Sequence, residues 1–132
     1  MIDRCVDLGE SISGSQYDAA RNNWGGTWRM PTEAEFIELK DKCQIEKTTL
    51  NGIAGISCKG PNGSSIFLPL AGNYILTIED RGEQCYYWSG TQDTSWYSNE
   101  MAIAFFYTGS VMFIDGWPNY RIFGYPVRAV TE

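Results

Sequence analysis

At 132 residues the chain is long enough for one domain with its own apolar core, and 43% hydrophobic content lies in the globular range. A formal net charge of −6 disfavours nucleic acid and anionic membrane surfaces as partners, because both recruit basic patches. The absence of histidine excludes Ser-His and Cys-His nucleophiles, histidine metal ligands and the usual general base near neutral pH.

No apolar run approaches the ~20 residues that a membrane-spanning helix needs. Met1-Ile2-Asp3-Arg4 is followed by no apolar stretch of the secretory type. The four cysteines, Cys5, Cys43, Cys58 and Cys85, are far apart and form no Cys-x-x-Cys pair, so neither a zinc site nor another cofactor is expected. Cys43 and Cys58 are the best pair by position. A bridge between them would close a loop of about 15 residues, worth about 3 kcal/mol in the chain-entropy model. Four buried free thiols are the equal alternative.

In chain order, Cys5-Val6-Asp7-Leu8 reads as a short strand ended by Gly9, and the Gly9 to Gly14 stretch as a turn, since it lacks the ending of a phosphate loop. Ser15 to Arg21 reads as a first helix with Ser15 as N-cap and Asp18 three residues on. Trp24-Gly25-Gly26-Thr27-Trp28 is a glycine-broken turn whose tryptophans are expected in the core. Thr32-Glu33-Ala34-Glu35 is a capping box. Phe36, Leu39 and Cys43 share one helical face, so a second helix runs from Thr32 to about Cys43. After Asn51-Gly52 the period changes. Ile53 to Cys58 and Ser65 to Leu68 flank Gly60-Pro61-Asn62-Gly63 as a hairpin. Pro69 to Gln84 is mostly loop, and Tyr86–Ser89, Ala102–Tyr107, Val111–Ile114 and Tyr125–Val130 supply further strands. Two early helices followed by short antiparallel strands make an α+β domain spanning 1–132.

The carboxylates Asp3, Asp7, Glu79, Asp80 and Asp93 are expected on solvated surface, because none sits in a motif that builds a pocket. The last third is different. Alternate side chains of a strand face opposite ways, yet from Ala102 to Phe123 both sets are apolar or aromatic. Ala104, Phe106, Val111 and Phe113 satisfy a core. Ile103, Phe105, Tyr107, Met112, Ile114, Trp117, Tyr120, Ile122 and Phe123 are then left over for a small domain with one core, and are expected as an exposed binding surface.

Val6-Asp7-Leu8-Gly9, Tyr17-Asp18-Ala19-Ala20, Trp24 to Thr32, Gly60-Pro61-Asn62-Gly63, Ile66-Phe67-Leu68-Pro69, Ala71-Gly72, Tyr87-Trp88-Ser89 and Gly124-x-x-Val127-Arg128 together resemble the Fibrobacter succinogenes major paralogous domain. The stretch between Gly9 and Tyr17 is shorter than in most relatives. The resemblance implies the C-type lectin-like fold: two helices packed on short antiparallel strands and adjacent termini, with Val6–Leu8 paired to Val127–Val130. It also implies kinship with the variable proteins of diversity-generating retroelements, in which adenine-directed mutagenesis rewrites codons near the C-terminus. AAY codons mutated at adenine become NNY, a set that fits Ile103, Phe105, Tyr107, Ile114, Asp115, Gly116, Asn119, Tyr120, Ile122 and Phe123 but not Trp96, Met112 or Trp117. The resemblance thus implies a non-enzymatic module that binds a protein ligand through a variable region at about 96–123. The implied ligand-binding residues are Trp96, Ile103, Phe105, Tyr107, Met112, Ile114, Asp115, Trp117, Asn119, Tyr120, Ile122 and Phe123, and the implied location is a cell surface or virus particle. The alternative is a non-diversified adhesion or structural domain of the same family. The fold's calcium-lectin triplets are missing, and its formylglycine-generating oxidases need a reactive cysteine pair where this chain has Cys85 alone.

Overall fold

The carboxylate of Asp18 starts the first helix, α1 (Ala19–Trp24). One oxygen accepts from the amides of Ala20 at 2.8 Å and Arg21 at 3.1 Å, and the other from Gly14 at 2.6 Å and Met30 at 2.8 Å. The helix therefore begins later than the Ser15 cap predicts. Ser15 instead accepts from the Tyr17 amide at 3.1 Å, inside the preceding turn. An aspartate reaching four amides satisfies more orphan donors than a serine can. In this computed structural model residues 8–74, 77–93, 101–109, 111–115, 120–121 and 123–131 are described. The expected pairing of Val6–Leu8 with Val127–Val130 falls outside them.

β1 (Trp28–Arg29) follows the glycine turn and pairs antiparallel with the C-terminal β10 (Val130–Thr131). Only this end of the predicted Tyr125–Val130 strand is ladder. Before it, Pro126 is tied to the sheet by its carbonyl, which accepts from the Trp88 amide at 3.1 Å. α2 (Glu33–Lys42) has the full capping box expected of Thr32 and Glu35, with Cys43 as its C-cap. Arg29 joins the two elements, donating to Glu35 through both guanidinium ends at 2.6 and 3.1 Å.

Beyond α2 the chain builds a three-stranded antiparallel meander: β2 (Gln44–Leu50), β3 (Ile53–Lys59) and β4 (Ser65–Pro69). β3 and β4 are the predicted hairpin. β2 is an addition to it, turned at Asn51-Gly52, whose φ angles of 51° and 80° suit a two-residue hairpin loop. Gly55 is required in β3, since a Cβ there would lie 2.2 Å from the Phe67 ring. The short pair β5 (Asn73–Tyr74) and β6 (Ile78–Glu79) interrupts the predicted loop. A second antiparallel sheet follows, with β8 (Ala102–Thr108) between β7 (Gln84–Gln92) and β9 (Val111–Asp115).

The core lies where α2 and the two larger sheets meet. Phe36, Ile56, Leu68, Leu70, Tyr87, Phe105 and Tyr107 are buried together with Cys58 and Cys85. Its composition corrects most of the expected facing of β8 and β9: Phe105 and Tyr107 are interior, whereas Val111 and Phe113 are 46% and 44% exposed; Ala104 is buried as expected. Trp24 and Trp28 are also corrected, at 63% and 39% exposure, stacked edge-to-face on each other at 5.3 Å. Asp93, expected on the surface, is buried, while Asp80 is exposed.

Candidate functional site

The facing of the β7–β9 sheet follows from one turn. Thr108 pairs with Val111, so Tyr107 sits opposite Met112, Phe106 opposite Phe113 and Phe105 opposite Ile114. Residues opposite each other in an antiparallel pair share a face. Hence Phe105, Tyr107, Met112 and Ile114 form one set and Phe106, Val111 and Phe113 the other. α2 supplies the deciding contact: Phe36 stacks on Phe105, which turns the first set inward. A shift of one residue in parity exchanges core and surface along the whole strand.

On the outer face the aromatic rings are continuous. Trp88 stacks on Tyr125 at 4.4 Å, Tyr125 on Tyr86 at 4.9 Å, Tyr86 on Phe106 at 5.8 Å and Phe106 on Phe113 at 5.0 Å. Tyr86, Phe106 and Phe113 are cross-strand neighbours in one row, and Tyr125 covers the Trp88 end from the C-terminal segment. The Tyr125 ring also meets Phe123, which in turn packs edge-on against Tyr120. Offset stacking of this kind adds about 0.5–1.5 kcal/mol per pair beyond area burial. Burial, with Tyr86 beside it, holds the Tyr125 phenol above its ordinary pKa, so it stays neutral. The Tyr86 hydroxyl donates to Gln84. Within the stack the ring faces are occupied by each other. Beyond the stack, Val111, Phe113 and Asp115 are exposed on the outer face.

The expected site residues divide accordingly. Ile103, Phe105 and Tyr107 are buried, which corrects their assignment to an exposed surface: their parity turns them into the interior. Met112 and Ile114 are half-buried against the same core and are corrected likewise. Asp115 is exposed on the outer face, and Tyr120 and Phe123 are half-buried in the aromatic chain. Trp96, Trp117, Asn119 and Ile122 lie outside the described residues. Tyr86, Trp88, Phe106, Phe113 and Tyr125 were not expected in the site. The hairpin turn at Gly109 was the available signal for grouping Phe106 with Phe113, but it does not tell which group faces in.

The two buried cysteines, Cys58 and Cys85, offer no nucleophile. Cys85 is fully buried, and burial, with the Cys58 thiol nearby, pushes its pKa up to about 12 against the pull of a backbone hydrogen bond to Tyr107. Burial and then the neighbouring Cys43 push Cys58 up to about 11. Thiols so placed remain protonated and inert near neutral pH. Cys43, Cys58 and Cys85 are free thiols, so the Cys43–Cys58 bridge is not formed. Among the described residues no group of three or more Cys, Asp or Glu side chains is arranged to hold a metal ion. A separate apolar cleft of about 450 Å³ lies between Trp28, Pro69, Tyr87 and Pro126. No protein-family model, curated protein or solved structure matches the chain.

Proposed function

We propose that the chain is a non-enzymatic ligand-binding module of C-type lectin-like kind that presents the outer face of β7–β9 to a protein ligand, at a cell surface or on a virus particle. The observation that carries this reading is the unbroken aromatic stack from Trp88 to Phe113, which ends in exposed apolar side chains on the edge strand. Rigid aromatic rings give a partner large contact area at small entropic cost. The buried, protonated Cys58 and Cys85 thiols and the lack of histidine favour binding over catalysis.

Within that reading the domain is a variable protein of a diversity-generating retroelement. Phe106, Phe113, Asp115, Tyr120 and Phe123 fit the NNY set and lie on or over the outer face. A second reading, a non-diversified adhesion domain of the Fibrobacter succinogenes major paralogous family, is favoured by the burial of Ile103, Phe105 and Tyr107. These three also fit the set yet cannot meet a ligand. The coding locus decides between them. The first reading requires a near-copy of the codons for 96–123 beside a reverse transcriptase, differing mainly at adenines and at outward-facing positions. A locus without such a copy leaves the adhesion domain.

A further inference from the structure

Trp24 ends α1 and Trp28 begins β1, and the turn between them runs through Gly25 and Gly26 at φ 70° and 56°. Only residues tolerant of the left-handed region turn the chain that tightly, and the turn sets the two indoles edge-to-face. Both remain largely in water, at 63% and 39% exposure. Single exposed apolar side chains are ordinary, but an adjacent pair of indoles on the rim of a cleft marks a contact site.

The cleft they border holds about 450 Å³, within the roughly 300–1,000 Å³ of small-molecule pockets. Pro69, Tyr87 and the C-terminal segment at 126–129 form the rest of it, and its walls are tied in place. The Tyr87 hydroxyl donates to the Pro69 carbonyl at 2.8 Å, Arg21 Nε donates to the Trp28 carbonyl at 2.8 Å, and the Trp88 amide donates to the Pro126 carbonyl at 3.1 Å. The two prolines have no N–H to offer. Arg128 is the one charged residue among the described lining residues; it is exposed, and no described residue forms an ion pair or hydrogen bond with it. Burial raises the pKa of the Tyr87 phenol while Arg128 pulls it down, so the guanidinium lies within electrostatic reach of the cleft wall.

We propose that this cleft binds a small aromatic carboxylate, with its ring against the Trp24 and Trp28 indoles and its carboxylate on the Arg128 guanidinium. The acidic group follows from charge complementarity. A chain of net charge −6 repels anions in general, whereas here a lone cation stands at an apolar cleft with no acidic side chain among the described lining residues. A guanidinium matches a carboxylate with two parallel hydrogen bonds. The ring follows from the indoles, since aromatic pairs gain from offset or edge-on contact beyond their buried area. One cation suits one carboxylate, but the proline walls lack the donors that a peptide backbone would need, which favours a free small molecule over the end of a polypeptide. The site is separate from the outer face of β7–β9, because Tyr87, the β7 residue that lines it, belongs to the buried core. Its failure would leave the protein-ligand reading untouched.

The test is an NMR titration of the isotope-labelled full chain with phenylacetate, followed at the indole N–H signals of Trp24 and Trp28. Both signals are expected to shift saturably, with a Kd below about 1 mM. The neutral isostere phenylacetamide is expected to bind about tenfold more weakly. Arg128→Gln should remove that preference, and Trp24→Ala should weaken both probes together. Both positions are exposed, so both variants should melt with the native chain. The proposal is overturned if neither indole signal shifts saturably, if the amide binds as well as the acid, or if Arg128→Gln keeps the preference for the acid. It is equally overturned if N-acetylglycylphenylalanine binds about tenfold more tightly than phenylacetate, since the occupant would then be a polypeptide terminus.

Discussion

The ring of Phe36 on α2 lies stacked on the ring of Phe105 in β8, with centroids 5.1 Å apart and planes 16° from parallel. This contact fixes which side of the β7–β9 sheet is interior, and with it which aromatic side chains a partner can reach. Both rings are buried, together with Leu68 and Tyr107 of the same cluster.

Phe105→Ala should therefore cost about 3–5 kcal/mol, the range for removing a large buried aromatic. Phe113→Ala, on the outer face of the neighbouring strand, should cost no more than about 1 kcal/mol. Urea denaturation of the two variants measures the difference. Equal costs would mean that Phe113 is as interior as Phe105, and the outer face would not be a surface.

Acid should weaken the fold through two carboxylates. Burial raises the Asp18 pKa, but the amides of Gly14, Met30, Arg21 and Ala20 together outweigh it and hold it below its ordinary value. The Arg29 guanidinium does the same for Glu35, against its partial burial and with help from Thr32. A carboxylate with a depressed folded-state pKa contributes stability above its unfolded value and loses that contribution as pH falls through the folded one. The urea midpoint should accordingly be flat above about pH 5 and decline below about pH 4. Asp18→Asn replaces one acceptor oxygen by a donor and strands two amides, each costing about 1–3 kcal/mol when buried. The variant should be less stable at pH 7 and show a shallower acid decline. A variant as stable as the native chain would show that the four-amide network does not hold the α1 start.

Thiol reactivity should rank with burial. Cys43 is half-buried at the end of α2, whereas Cys58 and Cys85 are buried with pKa values pushed up to about 11 and 12. Iodoacetamide at pH 8 should label Cys43 in the native protein, and Cys58 and Cys85 only after denaturant is added. Peptide mass mapping reads this directly. Rapid native labelling of Cys85 would place it at a surface and revive the reactive-cysteine alternative.

Local chemistry was legible wherever it was self-contained. Thr32 and Glu35 announce the α2 start because a capping box needs no tertiary partner, and Gly60 to Gly63 announce the β3–β4 turn for the same reason. The β2 strand was less visible. Gln44 to Leu50 is almost wholly exposed and carries no alternating pattern, although Asn51-Gly52 is a strong hairpin signal on its own. Local spacing places the α1 cap at Ser15 because the amide of Met30 that helps to select Asp18 lies twelve residues on. The facing of the site depends on a distant contact in the same way. The alternation in β8 and β9 gave the two faces correctly, but only α2, through Phe36, distinguishes the inner from the outer. A chain apolar on both faces carries no internal sign of parity.

The sharpest consequence of that parity is a difference between two libraries. One randomises Val111, Phe113 and Asp115, all exposed on β9, and the other randomises Ile103, Phe105 and Tyr107, all buried in β8. Replacing Phe113 costs about 1 kcal/mol at most and each of the other two exposed positions about 0.5 kcal/mol, so the first library loses roughly 2 kcal/mol at most. A domain holding about 5–15 kcal/mol can lose that and stay folded. The second library removes two buried aromatics at about 3–5 kcal/mol each, which approaches or exceeds the whole stability. Displayed and selected against an unrelated folded protein, the first library should yield binders that melt within a few degrees of the native chain. The second should yield few folded members of any kind. If instead the β8 library folds and binds while the β9 library collapses, the interior and exterior of this sheet have been exchanged, and the aromatic outer face is not where this domain meets its ligand.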